Sequence, residues 1–260
     1  MEITKLYPPF WFAKMDNPIL QLVICGGDLA NAHVDIMGKP NLNYEIVSNT
    51  NNYIVLNVET SGAKSNTTYR LQLKRNGETE EEEYKFLPRR NRAIEALSMK
   101  DAIYLLMPDR FAITDSKHCL NRNVIDKNNP DCWHGGTLKG MMDHIGDIAD
   151  MGFTAIWHTP VFENKQEVTN DTKYYSYHGY AITDFYEIDS HFGNIGDYCD
   201  FVDAAHKKGL KVIMDMVFNH CGKEHPFVKN PPVKDWFNDL GEGTCKLTNY
   251  SPLSAYDKYA

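Results

Sequence analysis

Lys211-Val212-Ile213-Met214-Asp215-Met216-Val217-Phe218-Asn219-His220-Cys221 opens as a short apolar run and closes on polar side chains. Val212, Ile213 and Met214 have the pattern of a strand buried on both faces, as in a parallel sheet. Asp215, Asn219 and His220 come where that strand ends. A carboxylate at the mouth of a buried strand is costly unless it is paired or used. In a parallel α/β barrel the carboxyl ends of the strands form the active face. Taken alone, the stretch reads equally well as a strand followed by a helix cap, so its surroundings have to decide.

Upstream, Ala102 to Pro108 is an apolar run that reads as a buried strand, and Ser116 to Gly136 as a long polar loop. Thr137 can cap a helix in which Leu138, Met141, Met142, Ile145 and Ile148 share a face, with Gly152 ending it. Phe153 to Trp157 is a second strand, and a loop runs from Val161 to Thr183. The next helix buries Tyr198, Phe201, Val202 and Ala205, stops at Gly209, and Lys211 opens the third strand. Strand, helix, strand, helix, strand is the pattern of a parallel α/β sheet.

Residues 1 to about 90 read differently, as short strands separated by turns. Ile19 to Cys25, His33 to Met37 and Tyr53 to Val58 are strand candidates. Tyr69, Leu71 and Leu73 alternate with Arg70, Gln72 and Lys74, so one face is buried and the other wet. Asn76-Gly77 tolerates positive φ at both residues and predicts a tight hairpin turn into a strand through Tyr84-Lys85-Phe86. Together these strands make a small β-sandwich. The acidic run Glu78, Glu80 to Glu83 reads as a solvated strand face. Phe10, Trp11 and Phe12 read as packing residues. Leu87 to Arg92 is a polar connection, which sets a sandwich over 1–92 and a partial barrel over 99–260.

The 260 residues carry a net charge of -8, which argues against a nucleic-acid partner. No apolar run reaches the roughly 18 residues of a membrane span. The N-terminus lacks the basic and apolar regions of a signal peptide, so the chain as written is expected in the cytoplasm, or in the periplasm or medium if a leader has been removed. None of the six cysteines forms a Cys-x-x-Cys pair. His118-Cys119 and Cys132-Trp133-His134 match no common zinc spacing, so free thiols are expected.

Asp215-Met-Val-Phe-Asn-His220 resembles the first signature of the α-amylase family, glycoside hydrolase family thirteen, which reads Asp-x-Val-x-Asn-His. Tyr177-His178-Gly179-Tyr180 and Gly152-Phe153-Thr154-Ala155-Ile156-Trp157-His158-Thr159-Pro160 resemble that family in order and spacing. Asn219-His220-Cys221-Gly222 and the extra N-terminal segment resemble its cyclomaltodextrinase and neopullulanase branch. The resemblance implies a (β/α)8 barrel whose first three strands are here, with residues after His220 entering the inserted domain B and Asp235-Trp236-Phe237 matching a segment found there. A closed barrel takes about 250 residues. About 160 come after the sandwich and supply three strands, so the chain reads as the front part of a longer enzyme.

The implied activity is retaining hydrolysis of α-1,4-glucosidic bonds in cyclodextrin, pullulan, starch or maltooligosaccharides. Retaining glycosidases use two carboxyl groups about 5–5.5 Å apart. In the resembling family these lie after strands four and five, beyond Ala260, so no nucleophile and no general acid is assigned and the chain alone is expected to be inactive. The resemblance gives Asp215 a supporting role toward an absent arginine. It makes Tyr180 a stacking aromatic, His178 and His220 donors to sugar hydroxyls, and Asn219 a brace for the loop into domain B. It allows a homodimer through the N-terminal domain. Calcium (Ca2+) occurs in the family, but the matching positions here read Ile113, Asp115, His118 and Cys119, then Gly135-Gly136-Thr137, so no cofactor and no metal site is expected. Asp184 and Asp189 are expected to accept hydrogen bonds from loops. The alternative is a non-catalytic or degenerate amylase-like protein that binds glucan without turning it over.

Overall fold

The computed structural model describes residues 1–89, 96–114, 117, 119, 124–164 and 175–237. These residues fall into two compact units, 1–89 with Asn230–Trp236, and 96–229 with Phe237.

Eight strands build the first unit: β1 (Glu2–Tyr7), β2 (Trp11–Phe12), β3 (Ile19–Gly27), β4 (His33–Met37), β5 (Tyr44–Asn49), β6 (Tyr53–Glu59), β7 (Thr67–Arg75) and β8 (Glu78–Leu87). They form two four-stranded sheets, ordered β1-β3-β6-β5 and β2-β8-β7-β4. One shared core holds Leu22, Ile24, Ile54 and Leu56 from the first sheet with Tyr69, Leu71, Tyr84 and Phe86 from the second. This is the expected β-sandwich. Asn76 and Gly77 take φ of 51° and 85° between paired Arg75 and Glu78, as the hairpin reading requires. The acidic run lies along β8. Strands β1, β2 and β5 are additions to the sequence reading, in which their mixed polarity gives no clean alternation. Trp11 packs against the core, but Phe10 stays 40% exposed, so the packing reading holds only in part.

The second unit contains β9 (Ile103–Leu106), α1 (Pro108–Phe111), α2 (Leu138–Asp143), α3 (Ile145–Asp150), β10 (Ala155–His158), β11 (Phe162–Asn164), β12 (Ile182–Ile188), α4 (Ile195–Lys207), β13 (Lys211–Met214) and α5 (Pro226–Lys229). β13, β10 and β9 form a parallel three-stranded sheet with β10 in the middle. These are the first three strands of the barrel. Ile156 on β10 packs with Met141, Ile145, Ile148, Phe201 and Ala205 of the helices.

Three expectations are corrected. The single helix expected after Thr137 is two, broken at His144, where ψ is 8° and the ring Nδ1 lies 2.7 Å from Asp147 Oδ2. The Val161–Thr183 loop contains β11 and is flanked by β12, which pair antiparallel. The strand expected to be buried on both faces, Val212–Met214, is not. Every residue of β13 is half-buried, and Leu105 is 60% exposed. The registered row Leu105, Trp157, Ile213 lies on the face opposite the Ile156 row. Successive side chains point to opposite faces, and among the described residues that second face is open.

Thr137 caps α2 by accepting from Gly140 N at 3.0 Å. Gly152 takes φ +89° after α3. Asn194 and Asp197 form a reciprocal capping box that starts α4. Lys211 is pinned at the start of β13 by Asp101, 2.9 Å away, and its side chain also donates to Ala96 O. These contacts fix the helix ends and the start of β13, whose opposite end leads into the Asp215–His220 stretch.

Candidate functional site

Tyr180 is the centre of the polar cluster at the carboxyl ends of β10 and β13. Its hydroxyl donates to Asp215 Oδ2 at 2.9 Å. Its backbone N–H donates to His178 Nδ1 at 3.0 Å, and its carbonyl is 3.0 Å from His220 Nε2. The His178 and Tyr180 rings stack with centroids 5.7 Å apart and planes 20° apart. The structure therefore brings together Asp215, His178, Tyr180 and His220, which the sequence separates by up to 42 positions.

The bonding refines the expected roles. An Nδ1 that accepts from Tyr180 N leaves the His178 proton on Nε2, which lies 3.4 Å from Ser176 Oγ. Burial lowers the His178 pKa, so the ring is neutral at neutral pH. His220 bonds the Tyr180 carbonyl through Nε2, the donor in that pair. Both histidines are expected from the sequence as donors to sugar hydroxyls; here each holds the main chain of Tyr180, one from either side. Asn219 is exposed, and its Nδ2 is 3.4 Å from His220 Nδ1.

Burial, then the hydrogen bond and charge of Asp215, push the Tyr180 hydroxyl up to about 12. It stays a protonated donor across the physiological range. Asp215 Oδ2 also accepts from Trp157 Nε1 at 3.2 Å. In the sequence Trp157 reads only as part of a strand motif. Its period-two place beside Leu105 on the open sheet face is the signal that points it toward Asp215.

The loop carrying Tyr180 is fixed from below. Gly179 takes φ +89°, and a Cβ there would lie 2.1 Å from Pro160 O. Only glycine fits that approach and that backbone. Buried Asn164 donates to Gly179 O at 3.1 Å and accepts from Ala181 N at 2.8 Å. Sequence reading gives Asn164 no role because a lone asparagine carries no spacing signal. Asp189 accepts from His191 N and from Asn164 N, and Asp184 accepts from Tyr186 N. Asp189 thus accepts from a loop, as expected, whereas the bond to Asp184 comes from within its own strand, β12. Burial pushes the Cys221 thiol up to about 11, which leaves it a poor nucleophile.

Near the positions matched to the family's calcium loop, the described side chains have partners within the protein. Calcium takes about six to eight oxygen ligands. Asp109 spends its carboxylate on His134 N and Gly135 N at 2.9 Å and on the Arg110 guanidinium. Thr137 Oγ1 bonds Gly140 N and Thr114 O. Ile113 offers no side-chain oxygen, and Asp115 and His118 lie outside the described residues. Among the described residues no group of three or more His, Cys, Asp and Glu is placed to hold a metal. Among the described residues, no helix is long and apolar enough to cross a membrane.

Comparison with known proteins agrees with this geometry. The family described as "Alpha amylase, catalytic domain" matches residues 105–259, and "Cyclomaltodextrinase, N-terminal" matches residues 5–90. A β/α-amylase of Paenibacillus polymyxa is 40% identical over 151 residues, covering 56% of this chain and 12% of that protein. Alpha-amylase 2 of Schwanniomyces occidentalis is 36% identical over 158 residues, covering 58% of this chain and 29% of that protein. A cyclomaltodextrinase of a Bacillus species is 34% identical over 152 residues, 54% of this chain and 25% of that protein. The chain thus spans less than a third of the length of each. Its parallel strands, its Tyr180 cluster and a catalytic-domain match over more than half its length place it in one family: this chain belongs to the α-amylase family of glycoside hydrolases.

Proposed function

We propose that this chain supplies the sugar-facing strand ends of an α-glucan hydrolase, one that cleaves α-1,4-glucosidic bonds with retention in cyclodextrin, pullulan, starch or maltooligosaccharides. The observation that carries the proposal is Tyr180. Its ring is 38% exposed at the mouth of a parallel sheet, while its hydroxyl, N–H and carbonyl are all tied down. A flat, immobile aromatic face suits the apolar face of a glucose ring. The negative face of the ring, backed by the Asp215 carboxylate, also favours positive charge developing on the sugar in an oxocarbenium-like transition state. Such contacts speed a reaction only as far as they strengthen in that state.

Asp215 is assigned a positioning role: one of its oxygens already accepts from two donors, Tyr180 and Trp157. Neither the nucleophile nor the general acid is assigned to a residue of this chain, and no metal is assigned to the reaction. A homodimer through the sandwich, the unit that matches the cyclomaltodextrinase N-terminal family over residues 5–90, is part of the same proposal.

The test is to incubate purified residues 1–260 with maltoheptaose and measure both binding and reducing ends. Binding without release is expected. Release that survives purification and disappears in His220→Ala would overturn the assignment of the catalytic carboxylates.

A further inference from the structure

We infer that Arg110 is a positioning residue for the Tyr180 site, acting through Tyr177. This inference rests on the glucan reading above. Arg110 lies in α1, just after the first barrel strand. Its guanidinium is engaged by hydrogen bonds at Nη1 and Nη2 and by an ion pair at Nε, which donates no hydrogen bond. Nη2 donates to Pro130 O at 2.8 Å and to Cys132 O at 2.9 Å. Nη1 is 2.8 Å from His134 Nδ1, and the Nε2 of the same ring is 3.1 Å from Asn129 O. Nε is 2.9 Å from Asp109 Oδ2. The side chain is 24% exposed.

With its edge committed, the guanidinium has only its faces left, and one covers the Tyr177 ring 3.8 Å from the centroid. A cation over an aromatic face is attractive, most strongly when it is shielded from water. A planar guanidinium anchored through both Nη atoms also cannot track a moving ring, as a flexible ammonium could. Tyr177 precedes His178, whose Nδ1 receives the Tyr180 N–H. The same 129–136 segment takes a second stitch from the loop, because Tyr175 N donates to Asp131 O at 3.0 Å. The plate of Arg110 thus fixes the start of the turn whose end presents the Tyr180 ring.

Sequence reading takes Tyr177 only as part of the Tyr177–Tyr180 motif and gives Arg110 no role in the site. Nothing in their spacing says that residues 67 positions apart stack.

The experiment measures maltoheptaose affinity and the His178 tautomer, by nitrogen-edited NMR, on residues 1–260. The variants are Arg110→Met, Arg110→Lys, Tyr177→Phe and Tyr177→Leu, with the Arg110→Met/Tyr177→Leu double variant. Arg110→Met and Tyr177→Leu are each expected to weaken binding by about tenfold, and the double variant no further, since both remove one contact. Tyr177→Phe keeps the ring and should stay within about twofold; Arg110→Lys should fall between. In Arg110→Met the His178 ring should lose its single tautomer. Lysine and phenylalanine variants keep the test valid if the methionine variant fails to fold. Wild-type affinity and an unchanged tautomer in Arg110→Met and Tyr177→Leu would overturn the role of Arg110 alone. A wild-type chain that does not bind maltoheptaose would instead overturn the glucan reading on which it rests.

Discussion

Tyr180 carries two separable functions, and two substitutions at one position pull them apart. Tyr180→Phe removes only the hydroxyl that donates to Asp215 at 2.9 Å. A hydrogen bond to a charged group contributes roughly 1.5–3 kcal/mol when well buried. Here Tyr180 is 38% exposed, so water replaces much of the loss and about 1 kcal/mol is the working figure. Trp157 still donates to the same oxygen. For a domain of this size about 1 kcal/mol lowers Tm by roughly 2–4 °C. The phenol titrates at about 12 in the folded chain, raised from 10.0 by burial first and Asp215 second. A raised acid pKa stabilises while the group is protonated. The contribution is therefore full below pH 10 and is lost as pH climbs through about 12. Between about pH 6 and 9 the Tm difference should be constant. Tyr180→Ala removes the ring as well, with its stack on His178. By the sugar-stacking argument Phe should bind maltoheptaose within about threefold of wild type, and Ala should lose about tenfold or more, near 1.4 kcal/mol. Thermal melts and calorimetric titrations of the two variants decide the matter. If Phe binds as poorly as Ala, the hydroxyl and not the ring meets the sugar, and the stacking argument fails.

Glu163 titrates at about 7 in the folded chain, raised from 4.5 by burial first, then by Asp189, with Asp184 adding and His191 and the Ser190 backbone opposing. The folded state therefore favours the protonated acid, so stability should fall as pH rises from about 4.5 to about 7. Glu163→Gln should flatten that slope and gain about 1–3 kcal/mol at about pH 8 with none at about pH 4, read by urea melts; an unchanged slope refutes it. Gly179→Ala forces a Cβ to 2.1 Å from Pro160 O at φ +89°, whereas Gly152→Ala at the same φ meets nothing within 4 Å. The first should cost about 2–4 kcal/mol and the second about 1, and equal losses would deny the close approach. Trp157→Phe removes one donor to Asp215 and should lower Tm by less than about 3 °C while weakening maltoheptaose binding by about two- to threefold. A variant with wild-type affinity would remove Trp157 from the site.

The parallel strands and the sandwich were legible because period-two alternation and apolar runs are local signals. Tyr69, Leu71 and Leu73 alternate as written and sit in the core. The motif residues were also legible: Tyr180, His178, His220 and Asp215 do converge. What could not be read was the direction of each bond. His178 and His220 each bond the Tyr180 main chain, an arrangement set by tertiary approach and invisible in spacing. Asn164 and Trp157 escaped for the same reason, as single polar atoms whose partners lie 15 to 58 positions away. Burial of β13 on both faces is not legible, because an apolar run shows that a face can be covered and does not show what covers it. Helix α3 begins at Ile145, just after His144, whose side chain bonds Asp147, and periodicity alone runs straight through that break.

The central claim is that the Tyr180 cluster receives an α-linked glucan, and its most direct measurement is a calorimetric titration of residues 1–260 with maltoheptaose, run beside the β-linked cellohexaose. The account predicts saturable binding at one site, with Kd of about 1 mM, or roughly -4 kcal/mol, weakened about tenfold by Tyr180→Ala and absent for cellohexaose. No heat of binding with either sugar, or equal affinity for both that Tyr180→Ala leaves intact, would contradict it.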